Sequence, residues 1–194
     1  LFGTQNWKIM AVIWALVPFC NIFYFSQVPI ATLPGAESGF SIKNLFKNRL
    51  FWVFFLLMAC AGASEQSMAQ WASAFAEAGL QVSKTVGDLA GPCAFAVAMG
   101  ITRALYGKFS EKVPLSRFMT ISGILCVISY LLASLSPNPV LALVGCSLCG
   151  FSVGIMWPGT LSLASKRIPL GGTAMFALLA LAGDLGCATG PALV

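Results

Sequence analysis

Six long apolar runs, separated by short polar or Pro/Gly-rich breaks, set the pattern of this chain. They lie at 8–28, 50–75, 86–106, 117–135, 139–163 and 173–194. Each is close to or above the ~20 residues that an α-helix needs to cross a bilayer. Breakers stand between them: Pro29 with Pro34 and Gly35, Gly79, Pro114, Pro137-Asn138-Pro139, and Pro169 with Gly171 and Gly172. The pattern predicts an all-α, polytopic membrane helix bundle with six transmembrane helices. The connection 29–49 is the longest and carries a pattern of its own. Ile42, Leu45, Phe46 and Leu50 share one helical face, and Lys43, Asn44, Lys47 and Asn48 the other. That is the signature of a short amphipathic helix lying at the membrane surface, with a solvated linker as the alternative.

Composition agrees with the pattern. The chain is 58% hydrophobic and 9% charged, far below the roughly 25% charge of soluble domains. It contains no His, which removes Ser–His–Asp hydrolysis, His-ligated zinc and His-ligated haem. Its few scattered basic residues make no nucleic-acid surface. Seven cysteines all lie inside apolar runs and read as small packing residues. Cys146 and Cys149 form a CxxC without a flanking His or a second pair, so neither a metal nor a cofactor is expected. The chain starts without Met and stops inside an apolar run, which reads as a piece of a longer protein.

Charge placement then orients the spans. Lys43, Lys47 and Arg49 precede the second run; Arg103, Lys108, Lys112 and Arg117 cluster between the third and fourth; Lys166 and Arg167 lie between the fifth and sixth. The alternate connections hold only Lys8 and Lys84. The positive-inside rule places the richer side in the cytoplasm. An integral, multi-pass plasma (cytoplasmic) membrane protein is expected, acting as a monomer in the bilayer.

Against this background the carboxylates within the spans stand out, because an ionised group at bilayer depth costs at least a few kcal/mol. A 3.6-residue period puts Gly62, Glu65, Gln66, Ala69 and Ser73 within one half of the second span, with Gln70 at the margin and Trp71 across from it. Such a face can line a solute cavity, with Gly62 and Ala69 making room. The alternative is an interhelical hydrogen bond or ion pair that only fixes packing. Asp184, among Gly183, Gly186 and Gly190, reads equally as a second proton or solute ligand and as a structural partner for a group such as Arg103. Trp157-Pro158-Gly159 interrupts the fifth span. That is a break of the kind found at transporter sites, or a plain kink, and Trp157 is either a stacking surface or an interfacial anchor.

One loop carries a more specific pattern: Arg103-x3-Gly107-x3-Glu111-Lys112-x4-Arg117. It resembles the Gly-x3-Asp/Glu-Arg/Lys-x-Gly-x-x-Arg loop motif of the major facilitator superfamily. Pro114 replaces the second Gly, and Leu115 stands where a basic residue is common. The alternative is an ordinary basic loop. Gly62-Ala63-Ser64-Glu65 followed by Trp71 is similar to the seventh helix of the fucose-permease-like branch. Gly150-x3-Gly154-x3-Pro158 is similar to its tenth helix, and Gly183-x2-Gly186-x3-Gly190-Pro191 to its eleventh.

The resemblance implies a twelve-helix fold of which this chain supplies helices six to eleven. Residues 1–28 would close the first half, 29–49 would form the central cytoplasmic loop, and 50–194 an incomplete second half of five helices. It implies a secondary transporter that moves a sugar or related polyhydroxyl solute by alternating access with proton symport. Glu65, Gln66, Gln70, Trp71 and Trp157 would bind solute, and Glu65 with Asp184 would couple protons. Arg103, Gly107, Glu111, Lys112 and Arg117 would form a cytoplasmic latch, reduced by the two departures. The rival readings are an efflux pump for amphipathic compounds, a non-transporting sensor, and an intramembrane enzyme. The last is weakened because Leu181 stands where a Gly-x-Gly-Asp protease motif has its first Gly.

Overall fold

The computed structural model describes residues 7–28 and 42–194, and the chain divides into two units, Leu1–Ala36 and Glu37–Val194. In the first, α1 (Trp7–Ser26) contains Pro18. Its side chains from Lys8 on are exposed all round, so it presents no buried stripe within its own unit. The breakers at 29, 34 and 35 lie outside the described residues.

The second unit is a helical bundle. Its elements are α2 (Ile42–Lys47), α3 (Arg49–Leu80), α4 (Lys84–Asp88), α5 (Ala94–Phe109), α6 (Leu115–Leu135), α7 (Pro139–Val153), α8 (Met156–Arg167) and α9 (Gly172–Thr189). A π-helical turn, Leu89–Cys93, joins α4 to α5. It contains Pro92, which has no N–H to give the preceding turn, and the widened turn absorbs the defect. Counting α4–α5 and α7–α8 as single crossings, the described residues hold six helices long and apolar enough to cross a membrane. Their outer faces carry exposed large apolar side chains, such as Ile121, Ile124, Val127, Ile128 and Leu131 along α6. An apolar surface of that extent suits lipid, not water.

The surface helix in 29–49 forms, but not as the face pattern predicts. It stops at Lys47 because Asn48 caps the next helix, its side-chain oxygen accepting from Leu50 N at 2.9 Å. Leu50 therefore belongs to α3. Only Leu45 of the four apolar residues is buried, while Ile42 and Phe46 stay exposed. Leu45 packs with Phe51 and Phe54 of α3, Ile168, and Met175 and Leu179 of α9.

That cluster places the starts of α3 and α9 at one end with the finish of α8, so α3 and α9 run parallel. Lipid is as apolar as Leu, so helices associate in it by close packing and hydrogen bonds instead of by exclusion of water. The contact of α3 with α9 shows how. A Cβ on Gly186 would collide with the Ala59 carbonyl and lie 2.9 Å from the Ala63 nitrogen. The second parallel pair, α5 with α7, meets in the same way, with Gly150 against the Phe95 backbone. The α6–α7 hairpin adds the third contact, closed by Asn138, which caps α7 through Val140 N at 2.9 Å.

Gly186→Val should therefore lower the thermal unfolding midpoint of the detergent-solubilised protein, at about 1–3 kcal/mol for an overpacked contact. Gly100→Ala on α5, where a Cβ meets nothing within 4 Å, should be neutral or gain up to about 1 kcal/mol from helix propensity. Equal midpoints for the two variants would contradict the glycine crossing.

Candidate functional site

Gly62 and Ala69 were expected to leave room for a solute beside Glu65. At Gly62 the space is taken by protein. A Cβ there would run into the Gly183 carbonyl and come within 3.1 Å of Cys187 Sγ. The room belongs to α9, because two helix backbones in van der Waals contact leave no gap. One turn beyond Gly62, Glu65 is half-buried, and its Oε2 is fully enclosed with no hydrogen-bond partner among the described residues. Gln66 is half-buried, whereas Gln70 is exposed. Trp71, 44% exposed, faces away from Glu65 and ties α3 to the end of α9, its Nε1 donating to the Pro191 carbonyl at 2.9 Å.

Trp157 opens α8 and lies across Gly183, whose Cβ position would fall 2.5 Å from the edge of the indole. Its Nε1 is also buried and without a partner. Gly183 is thus sandwiched, with the Glu65 helix against one part of it and the Trp157 ring against another. Asp184 corrects an expectation: it is exposed in the described unit, because Gly183 and Gly186, not Asp184, occupy the packed stripe of α9.

Arg103 does not reach toward Glu111. Its Nε donates to the Gly154 carbonyl at 2.9 Å. Gly107 lies near the end of α5 in open space. Glu111 and Lys112 are exposed in the following turn, and Arg117 is exposed in the first turn of α6. Four of the five motif residues therefore gather around one turn, and Arg103, itself exposed, turns its Nε to α7 instead.

Sequence reasoning missed three polar side chains. Tyr130 of α6 donates its hydroxyl to the Ser64 carbonyl at 2.7 Å, beside Glu65. Thr102 is fully buried with Oγ1 2.6 Å from the Phe151 carbonyl. Thr160 is fully buried with an unpartnered hydroxyl. It lines a cavity of about 490 Å³ together with Ser64, Cys126 and Met156. A smaller cavity of about 140 Å³ includes Trp71, Phe75 and Tyr130. Neither has Glu65 or Trp157 in its wall. The lone signal in the sequence was that Thr160 sits just past the Pro158 break. Cys146 and Cys149 are both fully buried free thiols packed with Cys126 in the core between α6 and α7.

A bundle of membrane-length helices, one of them broken near its middle, defines an integral multi-pass membrane protein. Its family follows directly: the chain matches the model of the Major Facilitator Superfamily over residues 2–191, and it belongs to that superfamily, whose members are transporters. No curated protein and no solved structure matches it significantly.

Tyr130→Phe should lower stability by about 0.6 kcal/mol, the average worth of a side-chain hydrogen bond in a membrane protein. Reversible unfolding in mixed micelles measures it. An unchanged midpoint would mean that the hydroxyl does not hold α6 to α3.

Proposed function

We propose that this transporter moves a sugar or related polyhydroxyl solute, coupled to protons, with Glu65 at the heart of the site. The observation that carries the reading is a pair of unpartnered buried atoms, Glu65 Oε2 and Trp157 Nε1, on the two helices that pack against Gly183. A buried polar group without a partner costs roughly 1–3 kcal/mol. A hydroxyl-bearing solute can donate to the carboxylate and accept from the indole, removing both penalties on binding. The apolar face of a sugar ring suits the Trp157 surface, and Gln66, Gln70 and Trp71 extend the polar rim. Solute would sit near the midplane and be exposed to each side in turn.

Proton coupling is assigned to Glu65 because its enclosed Oε2 has no hydrogen-bond partner among the described residues. Asp184, exposed on the same stretch of α9, is the second candidate. Nine basic residues (43, 47, 49, 103, 108, 112, 117, 166 and 167) fall on one side of the membrane, which the positive-inside rule assigns to the cytoplasm. Glu111, Lys112 and Arg117 on that side would then serve as a reduced latch. We assign the protein to the plasma membrane as a monomer.

Proteoliposomes holding the native protein test the site with a panel of radiolabelled monosaccharides and polyols. Glu65→Gln should cut uptake driven by an imposed pH gradient at least tenfold while leaving counterflow, which needs no net proton movement. Trp157→Phe should raise KM severalfold. If the gradient drives uptake equally in wild type and Glu65→Gln, Glu65 is not the coupling site. If amphipathic dyes move and no sugar does, the efflux reading replaces this one.

A further inference from the structure

The break between α7 and α8 has a missing donor and a supplied one. Val153 ends α7 and Met156 opens α8. Across the break, Gly154 N still donates to the Gly150 carbonyl at 3.2 Å and Gly159 N to the Ile155 carbonyl at 2.8 Å. The carbonyl between these is different. In a continuous helix, the Gly154 carbonyl would accept from the nitrogen four residues on. That residue is Pro158, which has no N–H to give. A carbonyl left open at membrane depth costs several kcal/mol.

Arg103 Nε fills this vacancy from α5, at 2.9 Å. The preceding residue does the same for a neighbouring carbonyl: Thr102 Oγ1 lies 2.6 Å from the Phe151 oxygen. Two consecutive side chains of α5 thus meet two carbonyls at the end of α7. Their reach depends on close backbones. A Cβ on Gly154 would fall 2.8 Å from the Met99 carbonyl and 3.2 Å from Thr102 Cβ. The direction of the Arg103 side chain is itself informative. It leaves α5 six residues before the helix ends at Phe109, about 9 Å at 1.5 Å per residue. From there a long cationic side chain ordinarily snorkels toward the interface. Here it turns across to α7.

We propose that Arg103 is a positioning residue, the brace of the α7–α8 break. It supplies from α5 the hydrogen bond that Pro158 withholds from the Gly154 carbonyl, and thereby fixes the start of α8 with Trp157 lying on Gly183. The break can serve as a hinge because its Gly154 carbonyl is held by a side chain, which can be released without unwinding the ladder bonds on either side. The hinge's part in a transport cycle rests on the function proposed above; the brace itself does not, and it is tested without any substrate.

The experiment is a double-mutant cycle on the purified protein in lipid nanodiscs, read by hydrogen exchange of the peptide covering 150–162 and by the thermal midpoint. Arg103→Gln should raise exchange in that peptide at least tenfold while leaving peptides from α3 and α9 within twofold. Arg103→Lys, which keeps a donor and a charge, should show a smaller rise. In a Pro158→Ala background the restored N–H satisfies the Gly154 carbonyl. Arg103→Gln should then raise exchange less than threefold, and the loss in midpoint should shrink by at least half. If Arg103→Gln is as damaging in the Pro158→Ala background as in wild type, the two residues do not share the carbonyl and the brace is wrong. A uniform rise in exchange over all helices would likewise overturn it, since that is the mark of general destabilisation. Should Arg103→Gln fail to yield folded protein, the cycle runs on Arg103→Lys with Pro158→Ala. There, additive effects on exchange reject the proposal and compensating ones support it.

Discussion

Inside a bilayer every backbone N–H and C=O must find its partner within the protein, and the irregular parts of this molecule are organised by that constraint. Asn48, Ser83 and Asn138 cap helix starts with their own side chains. At the far end of α9 the chain tightens into a 3₁₀ turn over Gly190–Ala192, and Trp71 donates to the carbonyl inside it. At the α7–α8 break, Thr102 and Arg103 come across from α5. Several departures from regular helix thus draw on a polar side chain, their own or a neighbour's. The same contacts that satisfy the backbone therefore bind the helices together, and the polar residues within the apolar spans are largely consumed by them.

Close backbone approach is the other half of the arrangement. The parallel pairs α3–α9 and α5–α7 meet at glycines whose missing Cβ atoms make room for a facing carbonyl, at Gly186 and Gly150. Short backbone distances bring polar side chains of ordinary length within reach of the opposite helix. Without Gly154 against Met99, Thr102 would be too short to meet the Phe151 oxygen. Packing and hydrogen bonding are thus one design, in which the small residues set the spacing and the polar side chains use it.

Much of this was legible in the sequence, for identifiable reasons. Span number and approximate bounds follow from apolar run length, which the bilayer imposes on every helix alike. The break near Pro158 and the close approach at Gly183, Gly186 and Gly190 were legible because Pro and Gly act through local geometry. What was not legible depended on helix rotation. Gly62 was read as room for a solute and proved to be room for α9, and Asp184 was read as buried and is exposed. Both errors have one source: a single helix shows which residues share a face, but not which neighbour that face meets. Arg103 was grouped with Glu111 by spacing along the chain, whereas its partner is set by the proximity of α5 and α7. Leu50 left the α2 face because Asn48, a residue of the polar stripe, became a cap.

The buried atoms that remain unpartnered are informative because so many others are paired. Glu65 Oε2, Trp157 Nε1 and Thr160 Oγ1 are side-chain atoms of α3 and α8, the two helices that flank the glycine-lined stretch of α9 and the hinge. A carboxylate that served only to hold helices together would have its oxygens occupied, as the Asp88 carboxylate is by the Ser73 hydroxyl. Arg103 gives its Nε to the Gly154 carbonyl that Pro158 leaves open. Gly183 links the two helices, because α3, which carries Glu65, packs on it through Gly62 and α8 packs on it through the Trp157 ring. The glycine contacts that close the bundle therefore fill the space around these helices with backbone and ring atoms, and leave Glu65 Oε2 enclosed without a donor among the described residues.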